Sequence, residues 1–247
     1  MQATHTATNP WPIVELRQYT LHPGRRDVLI ELFEREFIET QQAVGMEVIA
    51  HARDLDLPDR FVWFRGFHDM PSRAEGLQAF YSGPAWQAHR EAANATMIDS
   101  DNVLLLHEAR PGSGFALPPS RAALGANTRS GLLVATIYAL AAPVDAAFLD
   151  FYDAQLAPAA RAAGAHVLAS YATEHSANNF PRLPVREGEE VFVWVASFAN
   201  QAGYDAYLAT LEHSPAWREV IDELTPRLRG PSEVHRLEAA ARSLVRG

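Results

Sequence analysis

The chain repeats itself. FVWFRGF at 61–67 returns as FVWVASF at 192–198, an offset of 131. The same offset carries Leu77 onto Leu208, the Pro84-Ala85-Trp86 run onto Pro215-Ala216-Trp217, and Val103 and Leu106 onto Val234 and Leu237. Upstream the offset is 119, matching Tyr19 with Tyr138, Leu21 with Leu140, Gly45 with Gly164 and Val48 with Val167. The difference of 12 is an insertion in the second copy, and the polar, two-proline stretch 174–190 is where it falls. A duplicated unit restricts the possible folds sharply. Each copy is one supersecondary unit, and its uncovered apolar surface must be buried by the other.

Each copy reads as strand, helix, strand, strand, helix, strand. IVELRQYT (13–20) is the first strand, followed by a Pro23-Gly24 turn. Val28, Leu29, Leu32, Phe33 and Phe37 then recur at three-to-four spacing, which predicts a helix. Gly45 ends that helix, as glycine does when the chain must turn left-handed. The spans 46–53, 61–67 and 102–109 complete the strands, the last matched by 233–240. Asp69 and Asn200 stand where a side chain can cap the next helix. Gly83-Pro84 and Ser214-Pro215 restart it, because proline suits a first helical turn. The expected fold class is α+β: two tandem ferredoxin-like (βαββαβ) units, 12–110 and 131–241, joined by a Gly/Pro/Ser-rich linker at 111–130. Helices cover one face of each sheet. The bare faces should therefore meet, sheet to sheet, around a core or a pocket.

Composition removes several function classes. The chain has 247 residues, 48% of them apolar, and a net charge of −9. That balance argues against nucleic acid and against a polybasic membrane anchor. There is no cysteine, and all 21 basic residues are arginine, so thiolate, disulfide and lysine Schiff-base chemistry are excluded. The amino terminus lacks the pattern of a secretory signal, and no apolar run approaches the ~20 residues that span a bilayer. A soluble cytoplasmic protein is the expectation. No H-E-x-x-H, G-x-G-x-x-G, P-loop or G-x-S-x-G motif is present.

Alternation along the strands sorts side chains into faces. If Val14 and Leu16 face the helices, then Glu15, Arg17 and Tyr19 face the second sheet. Phe61, Trp63, Arg65 and Phe67 share a face, as do Ile49, His51 and Arg53, and Val103, Leu105 and His107. The expectation is a half-barrel interior holding Glu15, Arg17, Tyr19, His51, Arg65 and His107 among aromatic walls. Val134, Thr136 and Ala196 make the other copy apolar at the equivalent positions. Buried ions cost several kcal/mol each unless paired, so the cluster needs a reason. As a ligand site, Arg17 and Arg65 would hold an anion, and His51, Glu15 or Tyr19 would move a proton. Phe61, Trp63 and His107 would line the pocket. As structure, Glu15 would simply pair with the arginines and hold register. Glu15, His51 and His107 could also form an iron site, and any of the ten histidines could ligate haem, though the expectation is no cofactor and no metal.

VELRQYTLHPGRRDVLIELFE, the FVWFRGF strand and GPAWQAHR together resemble the NIPSNAP domain of the dimeric α/β-barrel superfamily. The first copy carries the resemblance. The second has Val134 and Thr136 in place of Glu15 and Arg17, and no Pro-Gly turn. The resemblance implies a barrel of two such sheets, here in one chain. It also implies activities ranging over cofactor-independent oxygenases, haem enzymes, isomerases and decarboxylases. The expected function is that of a small-molecule protein, a cofactor-independent enzyme for proton transfer, isomerisation or oxygenation of a small ring-bearing organic acid or ketone. The competing reading is a non-catalytic scaffold that binds a protein partner. A homo-oligomer is left open.

Overall fold

The computed structural model describes residues 10–126 and 128–247. Strands β1 (Ile13–Leu21), β2 (Glu47–Asp54), β3 (Arg60–Phe67), β4 (Met97–Asp99) and β5 (Val103–Glu108) precede the linker. Strands β6 (Leu132–Ala139), β7 (His166–Thr173), β8 (Val191–Phe198) and β9 (Glu233–Ala239) follow it. Helices α1 (Arg26–Leu32), α2 (Ile38–Gln42), α3 (Met70–Ser82) and α4 (Pro84–Asn94) belong to the first half. Their counterparts are α5 (Ala146–Phe151), α6 (Ala157–Ala162), α7 (Gln201–His213) and α8 (Pro215–Leu224). The repeat reaches fine detail: a π-turn at Phe33–Phe37 joins α1 to α2, and another at Tyr152–Leu156 joins α5 to α6.

The strands run β3-β2-β9-β6-β8-β7-β5-β1, and β1 pairs back onto β3, so eight strands close into a barrel with β4 as a short appendage on β1. The halves join at two antiparallel seams, β2 with β9 and β5 with β7. Each half thus finishes the other's sheet edges, which removes them as sites for aggregation.

The sequence expectation that the two sheets enclose a common space holds, but its contents are reversed. The barrel interior is apolar: Val14, Leu16, Val62 and Phe64 meet Leu133, Ile137, Val193 and Val195. Glu15, Arg17, Tyr19, Phe61, Trp63 and Arg65 lie on the outer face of the barrel, beneath the helices of the first half. An eight-stranded barrel is just wide enough for branched and medium side chains to fill it. Long arginines fit better in the layer between sheet and helix, where side chains can lie along the sheet. Both faces of β1 are buried, so burial alone could not orient the strand. The six polar candidates do share a side, and it is the helix side. Ile49 departs from its expected partners: a register irregularity between Val48 and Ala50 turns it into the barrel, while His51 packs with Phe33 and Phe61. The same irregularity recurs between Val167 and Ala169.

The linker is structural. Phe115 enters the barrel core against Phe64 and Tyr171, and its N–H donates to the Tyr171 hydroxyl. Arg121 is buried, donating to Glu47 and to the carbonyls of Val48 and Arg242. The inserted segment of the second half crosses to the first. Phe180 stacks on Tyr81, and Asn178 and Asn179 accept from Arg73.

Candidate functional site

In the first half, one carboxylate collects three guanidinium groups. Glu15 Oε2 accepts from Arg17 (2.9 Å) and twice from Arg65 (2.6 and 3.0 Å), while Oε1 accepts from Arg73 Nε (2.8 Å) and is ion-paired with the same guanidinium at 2.6 Å. All four side chains are buried. β1 and β3 place Glu15 directly opposite Arg65, and the first turn of α3 delivers Arg73 from above. That helix starts on a capping box, with Asp69 accepting from Ser72 N–H and Ser72 Oγ accepting from Asp69 N–H. Asp69 therefore does what the sequence asked of it.

Burial alone would raise the Glu15 pKa. The adjacent charges of Arg65, Arg17 and Arg73 outweigh it and hold the carboxyl well below the usual carboxylate range. Such a group is a poor proton acceptor. Arg17 also donates to the Tyr19 hydroxyl (3.0 Å), whose pKa is raised by burial. Arg65 donates to Gln41 (3.2 Å) and lies over the Trp63 ring at 5.0 Å, within cation–π range.

The other candidates stand apart. His51 is buried and pairs with Glu34 (2.8 Å), whose carboxylate also accepts the Arg242 N–H. Burial lowers the His51 pKa, with Glu34 opposing. His107 contacts the carbonyl of Glu108 through Nδ1. Glu15, His51 and His107 do not converge, and among the described residues no group of three or more His, Asp or Glu side chains is placed to hold a metal. A cavity of about 90 Å³ lies between the sheet and the helices; it touches Tyr19, Trp63 and Ser100, and neither Arg17 nor Arg65 lines it.

A larger opening occupies the equivalent place in the second half, where the sequence reading sought no site. It measures about 350 Å³ and lies between β6 and β8 on one side and α7 and α8 on the other. Val134, Thr136 and Ala196 form part of its floor, and Tyr204 stands where Arg73 stands in the first half. The register is conserved between halves: Val134 faces Ala196 as Glu15 faces Arg65. Replacing two arginines and a glutamate by threonine, alanine and valine removes the plug and leaves the aromatic frame. Tyr138, Trp194 and Trp217 of that frame recur from Tyr19, Trp63 and Trp86.

The chemistry of this second cavity is that of an apolar slot with a few donors. Burial pushes the Tyr138 hydroxyl up to about 12 and raises Tyr207 as well, so both remain protonated. The Trp194 N–H approaches Tyr138 closely enough to favour its phenolate slightly, yet completes no hydrogen bond. A buried donor without an acceptor is costly, by about 1–3 kcal/mol. Glu212 is the one carboxylate of the lining, and it is exposed. Leu208, Ile221 and Val234, each 39–45% exposed, also line the opening. The signal for this site lies in the sequence as the loss of charge between copies.

Residues 14–109 match the NIPSNAP family model. Over that stretch the first half is similar to a NIPSNAP domain. A NIPSNAP-like domain protein from Burkholderia xenovorans is 26% identical over 38% of this chain and 81% of its own, with a TM-score of 0.35. Other likenesses extend beyond the NIPSNAP match to nearly the whole chain. A candidate monooxygenase from Lactobacillus acidophilus superposes with a TM-score of 0.56 at 15% identity, covering 94% of this chain and 97% of its own. An anthrone oxidase-like protein does so with a TM-score of 0.51 at 14% identity, covering 96% of each. At such identities the likeness is one of fold. No curated protein matches the sequence.

Proposed function

We propose that the second half binds a small, flat, ring-bearing molecule carrying a hydroxyl or keto oxygen, and that the chain oxygenates it without a cofactor. The twin halves are read as tandem ferredoxin-like units of which one keeps an open site and the other, the NIPSNAP-like half, is closed by its own arginines. The observation that carries the proposal is the 350 Å³ cavity walled by aromatic and aliphatic side chains, with the Trp194 N–H lacking an acceptor. A slot of this kind buries a ring by the hydrophobic effect and orients it by a single donor. The whole-chain fold likeness to monooxygenase-type proteins supports the reaction class.

The step follows from those groups. The ligand oxygen accepts from Trp194, and Glu212 takes a proton from the ring carbon opposite that oxygen. The resulting enolate, steadied by the indole N–H, gives its electrons to dioxygen. A CH₂ becomes C=O, one oxygen atom stays on the ring, and the other leaves as water. The pairing of Glu15, Arg17 and Arg65 favours a structural role for these residues, as the scaffold reading held.

Anthrone is the first probe. Purified protein should quench its tryptophan fluorescence on adding anthrone and consume one dioxygen per anthrone converted, and Trp194→Phe should slow turnover while still binding. Absence of saturable binding by anthrone and related tricyclic phenols would remove the proposal.

A further inference from the structure

The two halves cover each other unequally. The β7–β8 connection, residues 174–190, crosses onto the first half. Its Glu174 N–H donates to the carbonyl of Leu105, and its Arg186 N–H to that of Val103, both on β5. Phe180, Leu183 and Val185 then pack into the cluster that holds Leu77. Under this cover Leu77 and Val103 are fully buried. The reciprocal connection between β2 and β3 is short, residues 55–59. It starts in the same way, with the Leu55 N–H donating to the carbonyl of Arg236 on β9. After Asp56 pairs with Arg236 it turns back into β3, so the second half receives no equivalent of Phe180, Leu183 and Val185.

The result is a bare apolar strip at the mouth of the 350 Å³ cavity. Leu208 and Val234 stand where Leu77 and Val103 stand in the first half, yet they are 45% and 43% exposed. Ile221, also part-exposed, takes the place of the exposed Arg90. All three line the cavity. Apolar side chains scattered singly over a surface need no explanation, but a group of them at one opening marks a contact.

We infer that this strip seats a hydrocarbon chain of the cavity's ligand, which makes that ligand a ring compound with an alkyl tail. The inference rests on the ring-binding reading of the cavity and names the part of the molecule that lies outside it. Continuity with the cavity favours a ligand tail over a protein partner. Three part-exposed side chains also fall far short of the ~1,000 Å² that a specific protein interface buries. In the first half the chain covers this strip with its own insertion. In the second half the ligand supplies the cover.

The test is a calorimetric titration of the wild type with 3-alkylphenols from ethyl to octyl, a series that leaves the carbon opposite the hydroxyl free. Affinity should rise about two- to fourfold per added methylene until the strip is covered. In Leu208→Ser/Ile221→Ser that rise should flatten. The slope is read within each protein, so a change in affinity for the ring itself does not enter. Ile221→Arg, which copies Arg90 of the first half at an exposed position, should flatten it in part. A wild-type affinity independent of chain length, or a slope undiminished in both variants, would overturn the inference. Saturable anthrone binding alongside either result would leave the ring-binding reading standing. An equal, variant-sensitive slope with n-alkanols, which have no ring, would uphold the strip and remove that reading instead.

Discussion

Ala196 stands in the second half where Arg65 stands in the first: each faces the first strand of its half and the bulged second strand, with Arg65 opposite Glu15 and Val48, and Ala196 opposite Val134 and Val167. Arg65 lies on a carboxylate at 2.6 Å, whereas Ala196 lines an open cavity. One position, written as arginine or alanine, separates a closed helix–sheet layer from an open one.

Ala196→Leu should therefore fill space rather than strain a packed core. We expect affinity for a ring-bearing ligand to fall at least about tenfold, a loss of roughly 1.4 kcal/mol. The melting temperature should hold or rise, because the added methylenes enter existing volume. Ligand titration by fluorescence and a thermal melt on the same sample check both. Unchanged affinity would place the ligand elsewhere.

Glu15→Gln removes the one carboxylate among three guanidiniums. Breaking a buried pair costs about 3–5 kcal/mol, to be read from urea midpoints. The pH dependence has a fixed sign. The folded pKa of Glu15 lies below its unfolded value of about 4.3. Its contribution is therefore present above that value and lost as pH falls toward the folded one. Wild-type stability should drop as pH is lowered from about 5 to 3, and the variant should start lower with a shallower acid slope.

The β2–β9 seam titrates in the other direction. His235 on β9 pairs with Asp54 on β2 at 2.9 Å. Burial opposes protonation, but Asp54 and Glu233 together raise the pKa. A raised folded pKa gives stability that is complete below the unfolded value of about 6.5 and is lost as pH rises through the folded value. His235→Gln should flatten that alkaline loss, measured as the difference in urea midpoint between pH 6 and pH 9.

Arg121→Ala tests the linker. The burial of the Arg121 side chain against Glu47 and two carbonyls predicts that its loss costs roughly 1–3 kcal/mol. A change within experimental error would return the linker to a passive tether.

The legible part of this protein was what recurs. The offsets of 131 and 119 located the strands, the paired helices and the insertion, because registered tryptophans and helix starts are local features. Asp69 and Asn200 cap their helices as their position suggests. The family resemblance of the first copy rested on the same kind of contiguous pattern. The site was harder to see. Glu15, Arg17, Tyr19, His51, Arg65 and His107 do share a side of the sheet, but His51 turns to Glu34 and His107 to its own chain, so proximity on a face did not make one constellation.

The amino-acid sequence by itself determined the duplication, the alternation of faces and the composition of each face, since these follow from the two-residue period of a strand and the chemistry of single side chains. Only the tertiary structure decided which face looks inward. With both faces buried, that choice depends on how much volume a closed eight-stranded barrel offers compared with the layer under the helices. Branched side chains fill the first, and the second holds long arginines in one half and an open cavity in the other.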